Sequence, residues 1–135
     1  MTVEQGLVAE LLADSGVAAI VGTKVHPGAI PQGQSLPAIV YNRVSTPRDV
    51  TLNGSVPVVG IRFRIDCWHT SYAQVKALAD AVRNALNGLA FSSPRQLGSE
   101  PVDAVYLIEE QDLPVYDGDQ RDQRVSQDWI IVATE

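Results

Sequence analysis

The sequence has few of the residues that build metal centres, disulfides or nucleophilic active sites. It contains one cysteine, Cys67, and two histidines, so no intrachain disulfide can form. No C-x-x-C, H-x-x-x-H, G-x-S-x-G or glycine-rich phosphate-binding spacing occurs. Cys67 lies among alternating apolar residues, two positions before His69, where an inert buried thiol is favoured over a catalytic one. The chain is therefore predicted not to be an enzyme and to bind no metal and no cofactor.

Long apolar runs are absent as well. No 18 consecutive apolar residues occur, and the first residues include an acid in place of a basic, apolar leader. We therefore predict neither a membrane span nor a signal peptide. A length of 135 residues fits one compact domain covering residues 1–135. The single cysteine fits a reducing compartment such as a bacterial cytoplasm.

Basic residues are scarce in the last quarter of the chain. Residues 1–99 carry eight Lys and Arg against six Asp and Glu, whereas residues 100–135 carry two against ten. The overall charge of −6 argues against tight binding of nucleic acid, which needs clustered basic residues. The uneven distribution suits a head-to-tail contact between copies of the chain. Two solvated faces of opposite sign on a monomer would produce the same pattern.

The first amphipathic segment predicts a helix from about Val3 to Asp14. Thr2 and Gln5 have the spacing of a capping box, in which each side chain bonds the backbone of the other residue. Residues 17–21 predict a short apolar turn. Residues 22–37, which are interrupted by glycine and proline, predict an extended arm.

A second helix is predicted from about Tyr72 to Asn87. Ser71 and Gln74 form another capping-box pattern, and Gly88 is placed to end the helix in the left-handed conformation. The apolar stripe expected to pack on the sheet consists of Ala77, Leu78, Ala81, Val82, Ala85, Leu86 and Leu89.

Four strands are predicted, over residues 38–45, 58–69, 102–112 and 124–134. The second alternates between two sets of side chains, one apolar (Ile61, Phe63, Ile65, Cys67) and one polar (Arg62, Arg64, Asp66, Trp68). The order α-β-β-α-β-β predicts an α+β fold. We expect a four-stranded antiparallel or mixed sheet with two main helices packed on its apolar face.

Arginines mark one candidate interaction surface. Arg43, Arg62 and Arg64 lie on adjacent predicted strands, with Arg48 nearby. If the strands pair, an arginine row on the polar face of the sheet would contact an acidic partner. Cross-strand pairing with Asp66, or with acids of the last two strands, is an equally open alternative.

Two tryptophans and two hairpin tips are further candidates for contacts with partners. Trp68 and Trp129 fall at positions that look polar, as half-buried sheet residues or as interface anchors. Predicted hairpins at 46–57 and 113–123 present Asn53 in the first tip and Tyr116, Asp117 and Asp119 in the second. The second tip does not match a calcium loop, because Arg121 occupies the position of a ligand.

The order of these signals resembles a known family. The segments that carry the resemblance are DSGVAAIVG (14–22), KVHP (24–27), PQG (31–33), LPAIVY (36–41), IDCW (65–68), YA (72–73) and ALADAVR (77–83). In their order and spacing they are similar to the small tail-completion, or tail-terminator, proteins of long-tailed phages and prophages. The likeness covers roughly residues 3–90 well and the last two strands more loosely.

The resemblance implies a structural virion protein at the head-proximal end of a tail. Copies of the chain would form a ring, usually a hexamer, on the last ring of the tail-tube protein. The ring would end tube polymerisation and join the tail to the head connector, while DNA passes through its lumen. The family has no catalytic residues to carry over. Another head–tail connector or minor tail protein, and a small ligand-binding or enzymatic α+β domain, are the alternatives.

Overall fold

Three helices pack on one face of a mixed β-sheet. The computed structural model describes residues 2–48, 50–52, 54–55, 57–91, 94–113, 115–117 and 120–134. The helices are α1 (Val3–Ala13), α2 (Ser15–Val21) and α3 (Tyr72–Asn87), and a short 3₁₀ turn, Gly88–Phe91, follows α3. None of the helices within these ranges has the length and apolarity needed to cross a lipid bilayer.

Helix α1 begins as the sequence predicts. The backbone N–H of Gln5 donates to the Thr2 hydroxyl at 3.1 Å, and the Thr2 N–H donates to the Gln5 side chain at 2.9 Å. These two bonds satisfy donors that the first helical turn leaves without intrahelical partners. The capping box is therefore confirmed.

Helix α2 replaces the turn that was predicted over residues 17–21. The residue after α1, Asp14, is extended, and its carboxylate accepts a hydrogen bond from the Val17 N–H at 3.0 Å. Asp14 thus ends one helix and caps the next, which lets a seven-residue helix bury Val17 and Val21. Gly22 then ends α2 with φ of +63°, a conformation that favours glycine.

Helix α3 has the predicted bounds but different ends and a different buried face. The Ser71 side chain makes no capping bond, and Gly88 is right-handed helical, with φ of −59°. The predicted capping box and left-handed stop are therefore wrong, and the chain continues into the 3₁₀ turn. The buried positions are Val75, Leu78, Ala79, Val82 and Leu86. Ala77 is exposed, so the packed face is rotated toward Val75 and Ala79.

The fold contains the four predicted strands together with shorter ones. The strands are β1 (Val25–Pro27), β2 (Ala38–Ser45), β3 (Val50–Thr51), β4 (Gly54–Ser55), β5 (Val58–His69), β6 (Gln96–Leu97), β7 (Glu100–Pro101), β8 (Ala104–Asp112), β9 (Val115–Asp117) and β10 (Gln120–Thr134). Of these, β3 with β4 and β6 with β7 form two separate two-stranded sheets. The main sheet has the order β1-β2-β5-β10-β8, and β9 also pairs with β10. Its pairings are antiparallel except for β1 with β2, so the sheet is mixed. The α+β class is confirmed.

The additional strands lie in the segments that were expected to be loops. β1 lies in the predicted arm and pairs in parallel with β2, where Val25 is opposite Ile39. β3 and β4 form the hairpin predicted between β2 and β5, and β6 and β7 form another before β8. Strands of two or three residues are too short for a periodic signal, so the sequence pattern could not reveal them.

The hydrophobic core lies between the helices and the inner face of the sheet. Phe63 and Ile65 of β5, and Ile131 of β10, face Leu7 of α1 and Leu78 of α3, and all five are fully buried. Cys67 is in the same layer, as the strand alternation predicts. Burial, with a smaller contribution from the negative charge of Asp66, raises the pKa of its thiol far above the usual range. The thiol therefore stays protonated and unreactive.

Candidate interaction surface

The face of the sheet opposite the helices, called here the open face, is lined by polar and charged side chains. It carries the even-numbered side chains of β5 and β10, because successive strand residues point to opposite sides. The surface is concave and encloses about 460 Å³. Charged residues of both signs line it, among them Arg62, Arg64 and Asp128.

Arg62 and Arg64 share one carboxylate at the centre of the open face. The Arg62 Nη2 lies 2.5 Å from Asp128 Oδ2, and the Arg64 Nε lies 3.0 Å from Asp128 Oδ1. Only 8% of the Asp128 side chain is exposed, against 37% and 45% of the two arginines. The register places Asp128 opposite Arg64, so this is cross-strand pairing with an acid of the last strand. The arginines were expected either to contact an acidic partner or to pair with acids across the strands, and the structure shows the cross-strand pairing.

The charge of Asp128 is maintained by this pairing. Burial alone would raise the pKa of its carboxyl, but the hydrogen bonds and positive charges of Arg64 and Arg62 outweigh burial and lower the pKa. In turn, the hydrogen bond to Asp128 raises the pKa of Arg64. Asp128 therefore remains ionised at neutral pH and orders the two guanidinium groups.

Arg43 does not belong to the arginine row. It is opposite Phe63 in the register and so lies on the helix side of the sheet, where its Nη2 is 2.7 Å from Glu4 Oε1 of α1. Its guanidinium also lies 5.6 Å from the Phe63 ring centroid. The expected position was wrong because the pairing register, which the sequence alone does not fix, determines which face it occupies. Arg48 is exposed and follows the end of β2, outside the sheet.

Trp68 lies on the open face, as predicted, and is half-buried. The guanidinium of Arg124, its cross-strand partner, lies 5.2 Å from the indole ring centroid. This distance is typical of a cation–π contact. Trp68 thus contributes an aromatic surface beside the paired arginines, and its contact with a partner protein stays a prediction.

Asp66 has unused hydrogen-bonding capacity at the base of the concave surface. It is 8% exposed, and its Oδ1 is buried without a hydrogen-bond partner among the described residues. Within the same ranges, the Nε atoms of Arg62 and Arg124 are also buried and unpaired. Buried polar atoms are usually hydrogen-bonded. The open face therefore contains one buried acceptor and two buried donors that the described residues leave unsatisfied.

Trp129 is not on the polar side of its strand, and the prediction that placed it there was wrong. It is fully buried, and its indole N–H donates to Gln127 Oε1 at 3.0 Å. The Gln127 Nε2 donates to the Ala79 carbonyl of α3 at 2.9 Å and to Glu110 Oε2 at 2.6 Å. Gln127 is polar but fully buried within this network, which made its side of the strand look solvent-exposed. Trp129 therefore belongs to the core of the subunit.

The two hairpin tips are only partly described. Asn53 and Asp119 lie outside the described residues. The backbones of Tyr116 and Asp117 form part of β9, opposite Arg121 and Gln120. Leu52, beside the tip of the first hairpin, is fully exposed. Contacts of these tips with partners stay predictions.

No constellation of metal ligands is found in the described part of the chain, where no three His, Cys, Asp or Glu side chains converge. Sequence reasoning also missed several residues that shape the surface. Identifying Asp128 as the partner of the arginines required the strand register, and identifying the exposed Tyr106 and Ile108 of β8 required the sheet order. The acidic excess of residues 100–135 was the available signal for β8.

Comparison with known families shows a structural protein of phage-type tails. The chain matches the family model described as "Tail completion protein gp17" over residues 5–132. The protein belongs to this family, and the family resemblance predicted from the sequence is confirmed. It is accordingly a structural component of a virion tail.

Solved structures contain the same fold. A chain described as "Virion of native gene transfer agent (GTA) particle" superposes with a TM-score of 0.76. It is 20% identical in sequence, and the match covers 98% of this chain and 95% of the other. No curated protein is significantly similar in sequence.

Proposed function

We propose that the protein is a tail-terminating subunit that forms a ring, usually a hexamer, at the head-proximal end of a phage tail. The ring ends polymerisation of the tail-tube protein and offers the surface that joins the head connector. The observation that carries this proposal is the family match over residues 5–132. The role needs binding surfaces and no chemistry, so the protein acts without catalysis and without a metal or cofactor. Residues 1–135 act as one domain.

The distribution of charge supports a ring around DNA. Residues 100–135 carry ten acids and two bases, and the 113–123 hairpin contributes Asp117, Asp119 and Asp122. An acidic lumen repels phosphates, so DNA would pass without being gripped. Reversal of charge at Asp117 and Asp119 should then slow DNA passage, and unchanged DNA delivery by that variant would contradict the assignment of this hairpin to the lumen.

The other residues expected to contact partners belong to the two hairpins and to the open face. Arg48 and Asn53 belong to the 46–57 hairpin, which would reach a neighbouring subunit or the tail tube. Tyr116 lies in the acidic hairpin, and Trp68 with Arg62 and Arg64 would form part of a contact on the open face. Arg62 and Arg64 bring guanidinium groups that Asp128 has already ordered, which lowers the entropic cost of binding.

Electron microscopy of particles made after deletion of the gene tests the tail-terminating role. Over-long or ragged tails without heads are the expected result. Tails of normal length that fail to join heads would instead favour the second candidate, another head–tail connector or minor tail protein. Normal infectious particles would exclude the tail-terminating role and the connector role, and would favour a small ligand-binding or enzymatic α+β domain.

A further inference from the structure

The two edges of the main sheet differ in length and in charge. β8, with nine residues, forms one edge, and β1, with three residues, forms the other. β9 continues the β8 edge, because Asp112 pairs with Val125 and Val115 pairs with Asp122. A subunit therefore presents two different surfaces on opposite sides.

The β8 edge is acidic. It carries Glu109, Glu110 and Asp112, and the nearby α3 contributes Asp80. Only two basic residues of α3 pair with this group: Arg83 contacts Glu110 and Asp80, and Lys76 contacts Asp112. Glu109 forms no salt bridge with the residues that the structure describes; it accepts a hydrogen bond from Gln111, and its negative charge contributes to the raised pKa of Arg64. The edge thus keeps a net negative charge.

The same edge exposes apolar surface. Tyr106 is 51% exposed and Ile108 is 48% exposed. Ile108 lies where a bulge separates the pairs Glu109–Asp128 and Leu107–Trp129. A long edge strand with exposed apolar side chains favours association unless something covers it. Two β8 edges are poorly suited to pair with each other, because their acids would repel.

The β1 side of the subunit is basic. Residues 15–48, which include α2, β1 and β2, contain no Asp or Glu and carry Lys24, Arg43 and Arg48. Arg43 is paired with Glu4 on the helix side. Lys24 lies immediately before β1, and its Nζ donates to the Ser35 carbonyl at 3.3 Å, a neutral acceptor. Lys24 therefore brings a positive charge to this edge.

We infer that the acidic β8 edge of one subunit docks on the basic β1 edge of a second copy. The inference rests on the proposed ring and names the surfaces that close it. Opposite charges on opposite sides of one chain define a heterologous contact, and such contacts generate rings when the rotation closes. Charge complementarity aligns the subunits, and the contact covers Tyr106 and Ile108.

Charge reversal at each edge tests the contact in the assembling phage. Lys24→Glu and Glu109→Lys are each expected to lower the yield of head-attached tails by about tenfold or more, since like charges then face each other. Co-expression of the two variants should restore the yield when their subunits alternate around the ring. The native acidic β8 edge of Lys24→Glu then meets the native basic β1 edge of Glu109→Lys. At the next contact the reversed, basic β8 edge of Glu109→Lys meets the reversed, acidic β1 edge of Lys24→Glu. Asn84→Glu, on an exposed position of α3, is the charged control and should assemble normally.

The matched control for restoration is co-expression of Lys24→Glu with Lys24→Asp, which reverse the same edge, leave every contact repulsive and should not restore the yield. Circular dichroism of each purified variant verifies that it folds. Wild-type yields from both single variants, or equal restoration by the two mixtures, would overturn the edge contact. If deletion of the gene abolishes tail completion in that case, the proposed function still stands. If deletion has no effect, the proposed function fails instead.

Discussion

The two faces of the sheet handle buried polar groups in different ways. On the helix side, the Gln127 side chain accepts a hydrogen bond from the Trp129 indole and donates one to a backbone carbonyl of α3 within the buried core. On the open face, Asp128 is buried beneath two arginines that are themselves more than one third exposed. The first arrangement fixes the position of a helix, whereas the second arranges charge at a surface. Gln127 and Asp128, which are adjacent in β10, thus have different roles: Gln127 stabilises the core, and Asp128 arranges charge on the open face.

The two tryptophans give the largest contrast between the faces. Trp129→Ala should lower the free energy of unfolding by about 3–5 kcal/mol, because it empties a fully buried site. Trp68→Ala removes a half-buried ring and its contact with Arg124, and should cost only about 1 kcal/mol. Urea unfolding of the two variants measures both values. If the two variants lost equal free energy of unfolding, Trp68 would have to be as well shielded from water in the free subunit as Trp129.

How far the sequence predicted the fold depends on how local each signal is. α1, α3, β2 and β5 have the expected bounds, because helix caps, turn residues and strand alternation act over a few neighbouring positions. β1 escaped prediction because a three-residue strand exists only through its pairing with β2. α2 was not predicted because Asp14 both ends α1 and caps the start of α2, so no separate start signal precedes the second helix.

The candidate site was harder to predict than the fold. The alternation of β5 correctly placed Arg62, Arg64 and Trp68 on one face. The faces of Arg43 and Trp129 depended on the register with β5, which forms across a long separation in sequence. Trp129 does alternate with Val125 and Ile131, and this apolar series outweighs the single polar Gln127.

A smaller effect is expected when the buried network on the helix side is removed. Gln127→Leu keeps a similar volume but leaves the Trp129 N–H without its acceptor, which should cost about 1–3 kcal/mol. Gln111→Leu, the same substitution at an exposed position of β8, should change stability by less than about 0.5 kcal/mol. Both values come from urea unfolding. A loss at Gln111 as large as that at Gln127 would show that the network itself contributes little.

The smallest effect concerns the charge cluster of the open face, and it should depend on pH. Asp128→Asn should cost about 1–2 kcal/mol at pH 7, a modest value because the arginines it pairs with are partly exposed to water. The pKa of Asp128 is lowered in the folded protein. Its contribution is therefore complete above the unfolded pKa of about 4 and is lost as the pH falls through the folded pKa. The stability difference between wild type and Asp128→Asn should narrow below about pH 4.

Asp66→Asn is the matched control, because it is the same change on the same face at a carboxylate with a buried oxygen that lacks a hydrogen-bond partner among the described residues. It should cost less than Asp128→Asn at pH 7, since it breaks no ion pair within those residues. Urea unfolding at pH 7 and at about pH 3.5 separates the two positions. If both variants lost the same free energy of unfolding at pH 7, Arg62 and Arg64 would be stabilised by the summed negative charge of the open face and not specifically by Asp128. In that case binding, and not pairing, would be the reason that Arg62 and Arg64 lie side by side.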